Sequence, residues 1–364
     1  MRLSLVISSL SCGGAQKVIS LMANYWVKRG WEINLITFDD GSNPPHYHLD
    51  TSVLDTSLGI AGDSSTLQER LINNIKRIHI LRRTLTRIKP HAVISFLDTT
   101  NIITLLALAG TRIPRIVSER NDPFNTNIGK IWNRLRMLTY LSADAVVVQA
   151  IEFEKFFPSM ISEKVRVIHN PVLIAKHYPI STGEGIINKP AIVSVGKLHR
   201  QKGFDLLIKA FSKIHKKHPE WSVIILGEGE CRLELENLRN SLGLENKILF
   251  LGKVARPEPY LDQGDIFVLP SRYEGFSNAL CEAMACGKAV IATDCPGNRE
   301  IIRDGKDGLL VPRGSVSALS EAIDTLILDS KKRQMLSSKA ADIVNRFGID
   351  KIMAQWSQLL IRVR

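Results

Sequence analysis

The sequence predicts an α/β protein of two doubly wound domains, each with a parallel sheet covered by helices on both faces. Its 364 residues are enough for about two domains. Short runs rich in Val and Ile alternate with longer amphipathic stretches along the chain. The short runs are almost continuously apolar, which is typical of strands buried on both faces of a parallel sheet.

The first half, residues 1–175, contains five such strands and is the first expected domain. The strands are predicted at Arg2–Ser9, Glu32–Phe38, Ala92–Leu97, Arg115–Glu119 and Asp144–Val148. Amphipathic periodicity predicts helices at about 14–29, 66–88, 99–109 and 129–141. A doubly wound, Rossmann-like domain is therefore expected here.

The second half repeats the pattern after a linker at 182–190, which is indicated by Thr182-Gly183-Glu184-Gly185 and Lys189-Pro190. Strands are predicted at 191–196, 222–227, 248–251, 265–270, 289–293 and 308–311, and helices at 202–217, 231–242, 315–329 and 331–346. The second domain is expected over 176–346, and a C-terminal helix in 347–364 is expected to pack back on the first domain. Ligands of such folds bind at the carboxyl ends of strands, so the sequence favours an active site in a cleft between the domains.

The net charge limits the classes of partner that the protein is expected to bind. Lys and Arg number 48 against 36 Asp and Glu, a net charge of +12, which attracts nucleic acid, anionic lipid or phosphorylated small molecules. A nucleic-acid binder would interleave basic clusters with aromatics, yet aromatics are only 6% of residues. We therefore expect no nucleic-acid partner. The solvated basic surface of an ordinary soluble protein stays an alternative.

Cysteine usage and hydropathy indicate a cytoplasmic protein. The five cysteines are an odd number without a C-x-x-C pair, so reduced thiols are expected. The apolar run at 3–10 reads as a first strand rather than as a signal peptide. The sequence has no run of about 18 consecutive apolar residues, so no transmembrane helix is predicted.

Two strand-to-helix turns carry anion-binding features. Gly13 and Gly14 follow the first strand, and glycines there let backbone N–H groups approach a phosphate at a helix N-terminus. The second domain opens similarly with Gly196 and Lys197, followed by Lys202 at the next helix. Two lysines at such a turn can clamp a diphosphate. A purely structural turn and solvated lysines are the alternative interpretations.

The sharpest motif is the stretch SRYEGFSNALCEAMACG at 271–287. A strand ends at Pro270, Glu274 lies in the following loop, and Glu282 lies inside the next helix. The two carboxylates could serve as general acid and base, or as hydrogen-bond acceptors for sugar hydroxyls beside a phosphate held by the loop amides.

The spacing Glu274-x7-Glu282 resembles the E-x7-E signature of the retaining glycosyltransferases of family 4, which have the GT-B fold. The resemblance extends over nearly the whole chain, through the Gly-Gly loop, the turn at 195–203, Gly227-Glu228-Gly229-Glu230 and the segment at 304–310. It implies an N-terminal acceptor-binding domain, a C-terminal nucleotide-sugar domain and a hexosyltransferase that uses a UDP-sugar donor. No cofactor and no metal are implied, and the chain has no D-x-D pair.

The same resemblance assigns roles to individual residues. It implies that Glu282 binds the ribose and that Glu274 binds the donated sugar. Lys197 and Lys202 would hold the diphosphate beside Gly196, and these two lysines with Glu274 form the expected catalytic set. Gly13 and Gly14 would line the phosphate side, and the amides of Gly275, Phe276, Ser277 and Asn278 would face the sugar or phosphate. Where the family often has Arg, this chain has Lys197, a point charge in place of a bidentate fork.

A long predicted helix indicates the acceptor. At 100° per residue, Lys76, Arg83 and Arg87 share one face, opposite Leu67, Leu71, Ile78, Leu81 and Leu85. The three cations, here called the basic stripe, would track the phosphates of a lipid-linked acceptor, or are a solvated face. The segment 93–101 resembles the bacterial enzymes that add α-1,4-linked N-acetylgalactosamine to undecaprenyl-diphosphate glycans. Glu119 and Arg120, at the next strand end, complete the expected acceptor site.

The leading hypothesis is a peripheral enzyme at the inner face of the cell membrane, with a UDP-sugar and a polyprenyl-diphosphate-linked glycan as substrates and an anionic membrane surface as partner. One alternative is a family 4 transferase acting on lipopolysaccharide core, capsule or a soluble acceptor. The other is an enzyme similar to UDP-N-acetylglucosamine 2-epimerase, whose chemistry requires acids and bases for proton abstraction.

Overall fold

The computed structural model describes residues 1–62, 67–174 and 190–363. The chain forms two units, one of Met1–Pro171 with Asp350–Arg364 and the other of Val172–Ile349. The predicted linker at 182–190, apart from Pro190, lies outside the described residues, as does the predicted domain boundary at 175–176.

The first unit contains a parallel sheet of seven strands in the order β3-β2-β1-β4-β5-β6-β7. The strands are β1 Arg2–Ile7, β2 Glu32–Thr37, β3 Leu54–Ser57, β4 Ala92–Phe96, β5 Arg115–Ser118, β6 Ala145–Val148 and β7 Val165–Val167. The helices between them are α1 Gly14–Val27, α2 Leu67–Ile88, α3 Asp98–Ala107, α4 Lys130–Tyr140 and α5 Ser159–Ser162.

Right-handed crossovers decide which face of this sheet each helix covers. From β1 to β3 the chain runs toward one edge of the sheet, and from β4 to β7 it runs toward the other. Consequently α2, α3 and α4 lie side by side on one face, with α3 in contact with both neighbours, and α1 lies on the opposite face. Most residues of α3 are buried, whereas α2 and α4 each keep one exposed side.

The second unit repeats the design with a parallel sheet of six strands in the order β10-β9-β8-β11-β12-β13. The strands are β8 Ala191–Val195, β9 Ser222–Leu226, β10 Ile248–Gly252, β11 Ile266–Leu269, β12 Ala289–Thr293 and β13 Leu309–Val311. The helices are α6 Phe204–Ser212, α7 Arg232–Ser241, α8 Glu258–Gln263, α9 Asn278–Ala285, α10 Pro296–Ile301, α11 Val316–Leu328, α12 Ser330–Ala340 and α13 Ile343–Phe347.

The last helix, α14 (Ile349–Arg362), returns to the first unit. Its Trp356 stacks on Phe96 with ring centroids 6.4 Å apart, and its Asp350 forms an ion pair with Arg29 at 3.0 Å. Trp356 is fully buried, so this helix completes the core on the side of the sheet opposite α2–α4.

Two short strands escape prediction, and one predicted helix begins later than expected. Both β3 and β7 are edge strands of three or four residues in which polar or exposed positions interrupt the apolar run. The helix predicted from 202 begins only at Phe204, because Gly203 has a φ of 66° and ends a 3-10 turn at Arg200–Lys202. The helix predicted over 331–346 is two helices, α12 and α13.

Candidate active site

The turn after β8 brings backbone segments of the second unit unusually close together. Gly227, with a φ of 145°, lies so near Gly196 that a Cβ on Gly227 would overlap the carbonyl oxygen of Gly196. A Cβ on Gly203 would likewise overlap the carbonyl oxygen of Pro270. Only glycine permits these contacts. They hold the carboxyl ends of three neighbouring strands, β8, β9 and β11, against one another.

Hydrogen bonds then join the 3-10 turn to the loop that carries Glu274. Gln201 donates its side-chain amide to the carbonyl of Tyr273 at 3.0 Å, and its own carbonyl accepts from the backbone of Arg272 at 2.7 Å. The Arg272 guanidinium holds Asp205 of α6 through two bonds of 2.8 Å. This bidentate pair is the strong form of the interaction. Burial alone would raise the pKa of Asp205, but the Arg272 guanidinium outweighs it and lowers that pKa. The two segments therefore form one structural unit.

Lys202 and Glu274 contact each other where the 3-10 turn meets this loop. The Nζ atom of Lys202 donates to Oε1 of Glu274 at 2.6 Å, and the hydroxyl of Ser271 donates to the same oxygen at 2.6 Å. Glu274 is 5% exposed and Ser271 is fully buried. Gly196 lies beside the Lys202 stem, so three of the predicted donor residues are adjacent in space.

The loop after Glu274 leads directly into α9. Gly275, Phe276 and Ser277 are buried, and Ser277 caps the helix by accepting from the backbone N–H of Leu280 at 3.4 Å. Gly275 also lies against Gly297, so that a Cβ on Gly297 would overlap the carbonyl oxygen of Gly275. The first turn of α9 thus begins beside Glu274, with Asn278 as its first residue.

The remaining predicted donor residues of the second unit are more exposed to solvent than Glu274. Lys197 is exposed, and Glu282 lies half-buried on α9. Among the described residues, no group of three or more His, Cys, Asp or Glu side chains is arranged to hold a metal ion. In this arrangement the lysines and the glycine-rich backbone can hold an anion. The two carboxylates can accept hydrogen bonds from hydroxyl groups.

Sequence reasoning missed the residues that support Glu274. Ser271, Gln201 and Arg272 contact the predicted residues or their loop, but none has a side chain diagnostic of chemistry on its own. Proximity in sequence could have pointed to Ser271 and Arg272, because they precede Glu274 by three and two residues in the same loop.

In the first unit, the predicted glycines form the turn between β1 and α1. Gly13 precedes the helix, its φ of 176° is ordinary extended backbone, and Gly14 is the first helical residue. The carbonyl of Gly13 accepts from the backbone N–H of Lys17 at 3.0 Å. The turn is therefore a regular helix start with its N–H groups directed outward along the helix axis.

Glu119 is buried in the first unit rather than presented on a surface. It is 2% exposed, accepts from the Tyr140 hydroxyl at 2.5 Å, and has the fully buried Arg136 at 3.6 Å. Burial raises the pKa of Glu119 to about 7, although the Arg136 guanidinium opposes this shift.

Arg120 is also buried, at 7% exposure. Its guanidinium lies 3.9 Å from the centre of the Phe96 ring and 5.7 Å from that of Trp356, and it donates to Asn170 at 2.8 Å. Burial lowers the pKa of Arg120 to about 9. Arg120 thus holds α14 to the sheet, a contact that sequence reasoning did not foresee.

The basic stripe lies on the exposed side of α2. Lys76, Arg83 and Arg87 are exposed, whereas Leu81 and Leu85 are fully buried; Ile78 is partly buried, and the side chains of Leu67 and Leu71 lie outside the described residues. Two other arginines of the helix bind backbone carbonyls instead, Arg77 at Ile60 and Arg82 at Ala109. The cations of the stripe thus face solvent, as the periodicity predicts.

Comparisons with known proteins agree with this architecture. The model "Glycosyltransferase Family 4" matches residues 12–176, and the model "Glycosyl transferases group 1" matches residues 183–342. The chain is 29% identical, over 100% of its own length and 99% of the relative's, to the GalNAc-α-(1→4)-GalNAc-α-(1→3)-diNAcBac-PP-undecaprenol α-1,4-N-acetyl-D-galactosaminyltransferase of Campylobacter jejuni. It is 26% identical, over 96% of its length and 97% of the relative's, to an uncharacterized glycosyltransferase of Haemophilus influenzae.

Solved structures show the same fold. Sucrose-phosphate synthase from Thermosynechococcus elongatus superimposes with a TM-score of 0.87 at 18% identity, covering 100% of this chain and 98% of that one. Anabaena HepE, solved with UDP-glucose, superimposes with a TM-score of 0.83 at 22% identity and full coverage of both chains. With both halves matched and the fold shared, the chain belongs to the family 4 glycosyltransferases, built as two Rossmann-like domains of the GT-B class.

Proposed function

We propose that this enzyme transfers a sugar, an N-acetylhexosamine, from a UDP-sugar to a polyprenyl-diphosphate-linked glycan, with retention of anomeric configuration. The observation that carries the proposal is the contact between Lys202 and Glu274 at the carboxyl edge of the second sheet. In this contact a cation that could neutralise a diphosphate lies beside a carboxylate that could accept from sugar hydroxyls. A nucleotide-sugar presents both a diphosphate and sugar hydroxyls, and this supports the proposal.

The donor would occupy the carboxyl edge of β8 and β11. Lys197, Lys202 and the amides of Gly275–Asn278 would neutralise the diphosphate, and Glu282 on α9 would accept from the ribose hydroxyls. Glu274 would accept from the sugar through Oε2, because Oε1 is already held by Lys202 and Ser271. In support, HepE binds UDP-glucose with a similar fold.

The transfer would proceed on one face of the sugar. The bond between the anomeric carbon and the phosphate oxygen breaks, and UDP leaves with the electron pair. The acceptor oxygen forms the new bond on the same face, while its proton passes to the leaving phosphate oxygen. The two lysines stabilise the charge that develops on the diphosphate, which is the electrostatic contribution that such a transition state requires. No cofactor and no metal enter this scheme.

The acceptor proposal rests on the basic stripe and on the Campylobacter jejuni relative, whose name describes a glycan on undecaprenyl diphosphate. Lys76, Arg83 and Arg87 lie along one exposed face of α2, about two turns and then one turn apart, where they would bind the lipid-linked diphosphate. Such an acceptor lies in a membrane, so we also propose a peripheral attachment to the cytoplasmic face. Within the described residues no helix is both long enough and apolar enough to span a bilayer.

Glu119 and Arg120 would contribute to the acceptor side indirectly. Their side chains are engaged inside the first unit, so they would shape the loop after β5 rather than meet the acceptor with free charges.

Product analysis tests the whole proposal. The protein is incubated with a panel of UDP-sugars and with extracted polyprenyl-diphosphate glycans, and the glycans are analysed by mass spectrometry and for anomeric configuration. Addition of one or more N-acetylhexosamine units in α linkage is expected. Transfer only to lipopolysaccharide core, capsule or a soluble acceptor, or epimerisation of UDP-N-acetylglucosamine without any acceptor, would contradict it.

A further inference from the structure

The outward side of α4 is largely apolar, whereas a surface helix normally presents polar groups to solvent. At 100° per residue with Arg134 at zero, Ile131, Leu138 and Leu141 fall within about 60° of it, and so does Lys130. We call these five residues the α4 ridge. Met137, at the edge of the ridge, is partly buried against the core, and Trp132, Arg136 and Tyr140 fall on the other side, facing the sheet.

The apolar members of the ridge are well exposed. Ile131 is 71% exposed, Leu138 66% and Leu141 39%, and Lys130 and Arg134 are exposed between them. Single exposed apolar residues are common on protein surfaces. Two on one face of an eleven-residue helix and a third at its C-cap, interleaved with cations, form a patch of the kind that marks an interaction surface.

Charge decides what kind of partner fits. The sequence of α4 contains three cations and no acid, and two of the cations, Lys130 and Arg134, are exposed, whereas Arg136 is buried. The sequence of α2, on the same face of the sheet, contains six cations and one acid. Exposed Ile72 and Ile75 lie on α2 near the basic stripe. Between the two helices, α3 is mostly buried. The solvent side of this face is thus apolar and strongly basic together.

We propose that the α4 ridge docks on an anionic lipid bilayer, with Ile131, Leu138 and Leu141 below the phosphates and with Lys130 and Arg134 against them. A basic face with large aliphatic side chains is the composition of interfacial helices, which combine buried apolar area with attraction to anionic headgroups. Pairing with a second copy fits less well, because it would bring two strongly cationic faces together. The proposal rests on the peripheral membrane attachment proposed above and names the surface that would make it, but vesicle binding by this surface needs neither donor nor glycan acceptor.

Sedimentation with liposomes tests it. The full-length protein is mixed with vesicles of phosphatidylcholine and phosphatidylglycerol, and separately with vesicles of phosphatidylcholine alone, without any glycan lipid. We expect binding to the anionic vesicles. The double variant I131Q/L138Q should bind at least about tenfold more weakly, since each side chain loses the favourable transfer of its apolar surface.

A matched control uses two leucines exposed to the same degree on the second unit. Leu233 and Leu328 are 69% and 70% exposed, and L233Q/L328Q should bind vesicles like the unchanged protein. Circular dichroism melting confirms that both double variants are folded. Transfer to a detergent-solubilised acceptor should be equal in all three proteins, so that failure of docking and failure of the proposed reaction are separately visible.

Three results would overturn the proposal. The first is absence of binding by the unchanged protein to anionic vesicles, and the second is equal binding by the two double variants. The third is a dimer, seen by light scattering, that only I131Q/L138Q dissociates, since this would assign the ridge to self-association.

Discussion

The Nζ atom of Lys202 lies 2.6 Å from Oε1 of Glu274, although the two residues are 72 positions apart. Oε1 also accepts from Ser271, so one carboxylate oxygen is fully engaged. A side chain held at one oxygen by two donors has little rotational freedom, which orients Oε2 for a ligand. The pair also means that Lys202 must share its charge between Glu274 and any diphosphate.

Substitutions of the two carboxylates of the E-x7-E motif should impair different steps. Glu282→Ala should mainly weaken nucleotide binding, and Glu274→Ala should mainly lower kcat, because the first is proposed to hold the ribose and the second the reacting sugar. Loss of a hydrogen bond to a charged group costs about 1.5–3 kcal/mol, so roughly 10- to 100-fold effects are expected. Calorimetric binding of UDP and steady-state kinetics measure the two effects. Unchanged turnover in both variants would refute these roles.

Ser271 should act as a positioning residue for Glu274. Ser271→Ala removes one of the two donors to Oε1 and should lower kcat about tenfold, while the affinity for UDP, which lacks the transferred sugar, stays the same. Ser320→Ala is the control, because Ser320 is also buried in the second unit and donates only to the carbonyl of Ala210. If the two alanine variants have equal kinetics, the bond between Ser271 and Glu274 has no influence on turnover.

Turnover should survive EDTA. Lys197 and Lys202 are proposed to neutralise the leaving diphosphate, a task that a divalent ion performs in metal-dependent transferases. The measurement is the rate of UDP release before and after chelation, and again after Mg²⁺ or Mn²⁺ is added. A loss of rate that either ion restores would show that a divalent ion, and not the two lysines, neutralises the diphosphate. Lys202→Met should lower the rate in the presence and absence of EDTA alike.

The basic stripe should affect the acceptor and not the donor. Replacing Lys76, Arg83 and Arg87 together with Gln should raise KM for a lipid-linked acceptor, because each cation near an anionic surface contributes on the order of 1 kcal/mol. UDP-sugar hydrolysis without acceptor should be unchanged. A control triple variant replaces Lys213, Lys216 and Lys217, which are exposed on the second unit. Equal acceptor KM values in the two triple variants would identify the stripe as a solvated face.

Burial of Glu119 should make the stability of the first unit depend on pH. The folded state raises the pKa of Glu119 from 4.5 to about 7, so it favours the protonated form. The contribution to stability is therefore complete below about pH 4.5 and declines as the pH rises to 7, by on the order of 3 kcal/mol. Urea unfolding of the unchanged protein and of Glu119→Gln across this range measures the difference. Parallel curves for the two proteins would contradict the shift.

Features that depend on near neighbours in the chain could be predicted from the sequence. The alternation of apolar runs and amphipathic stretches determined two doubly wound parallel sheets, since right-handed crossovers leave few other arrangements. The exposed face of α2 followed from helical periodicity alone. Glu274 and the start of α9 are joined by one short loop, so their proximity was also a local property.

Tertiary structure decided what depends on distant residues. The strands β3 and β7 form by pairing at sheet edges, where their own side chains carry little apolar signal. Glu119 and Arg120 were expected in an acceptor site at a strand end, but Tyr140, Arg136 and the returning helix α14 enclose their side chains. The contact of Lys202 with Glu274 arises because Gly203 packs on the end of β11. Burial and close approach are set by segments far apart in sequence, and no local pattern records them.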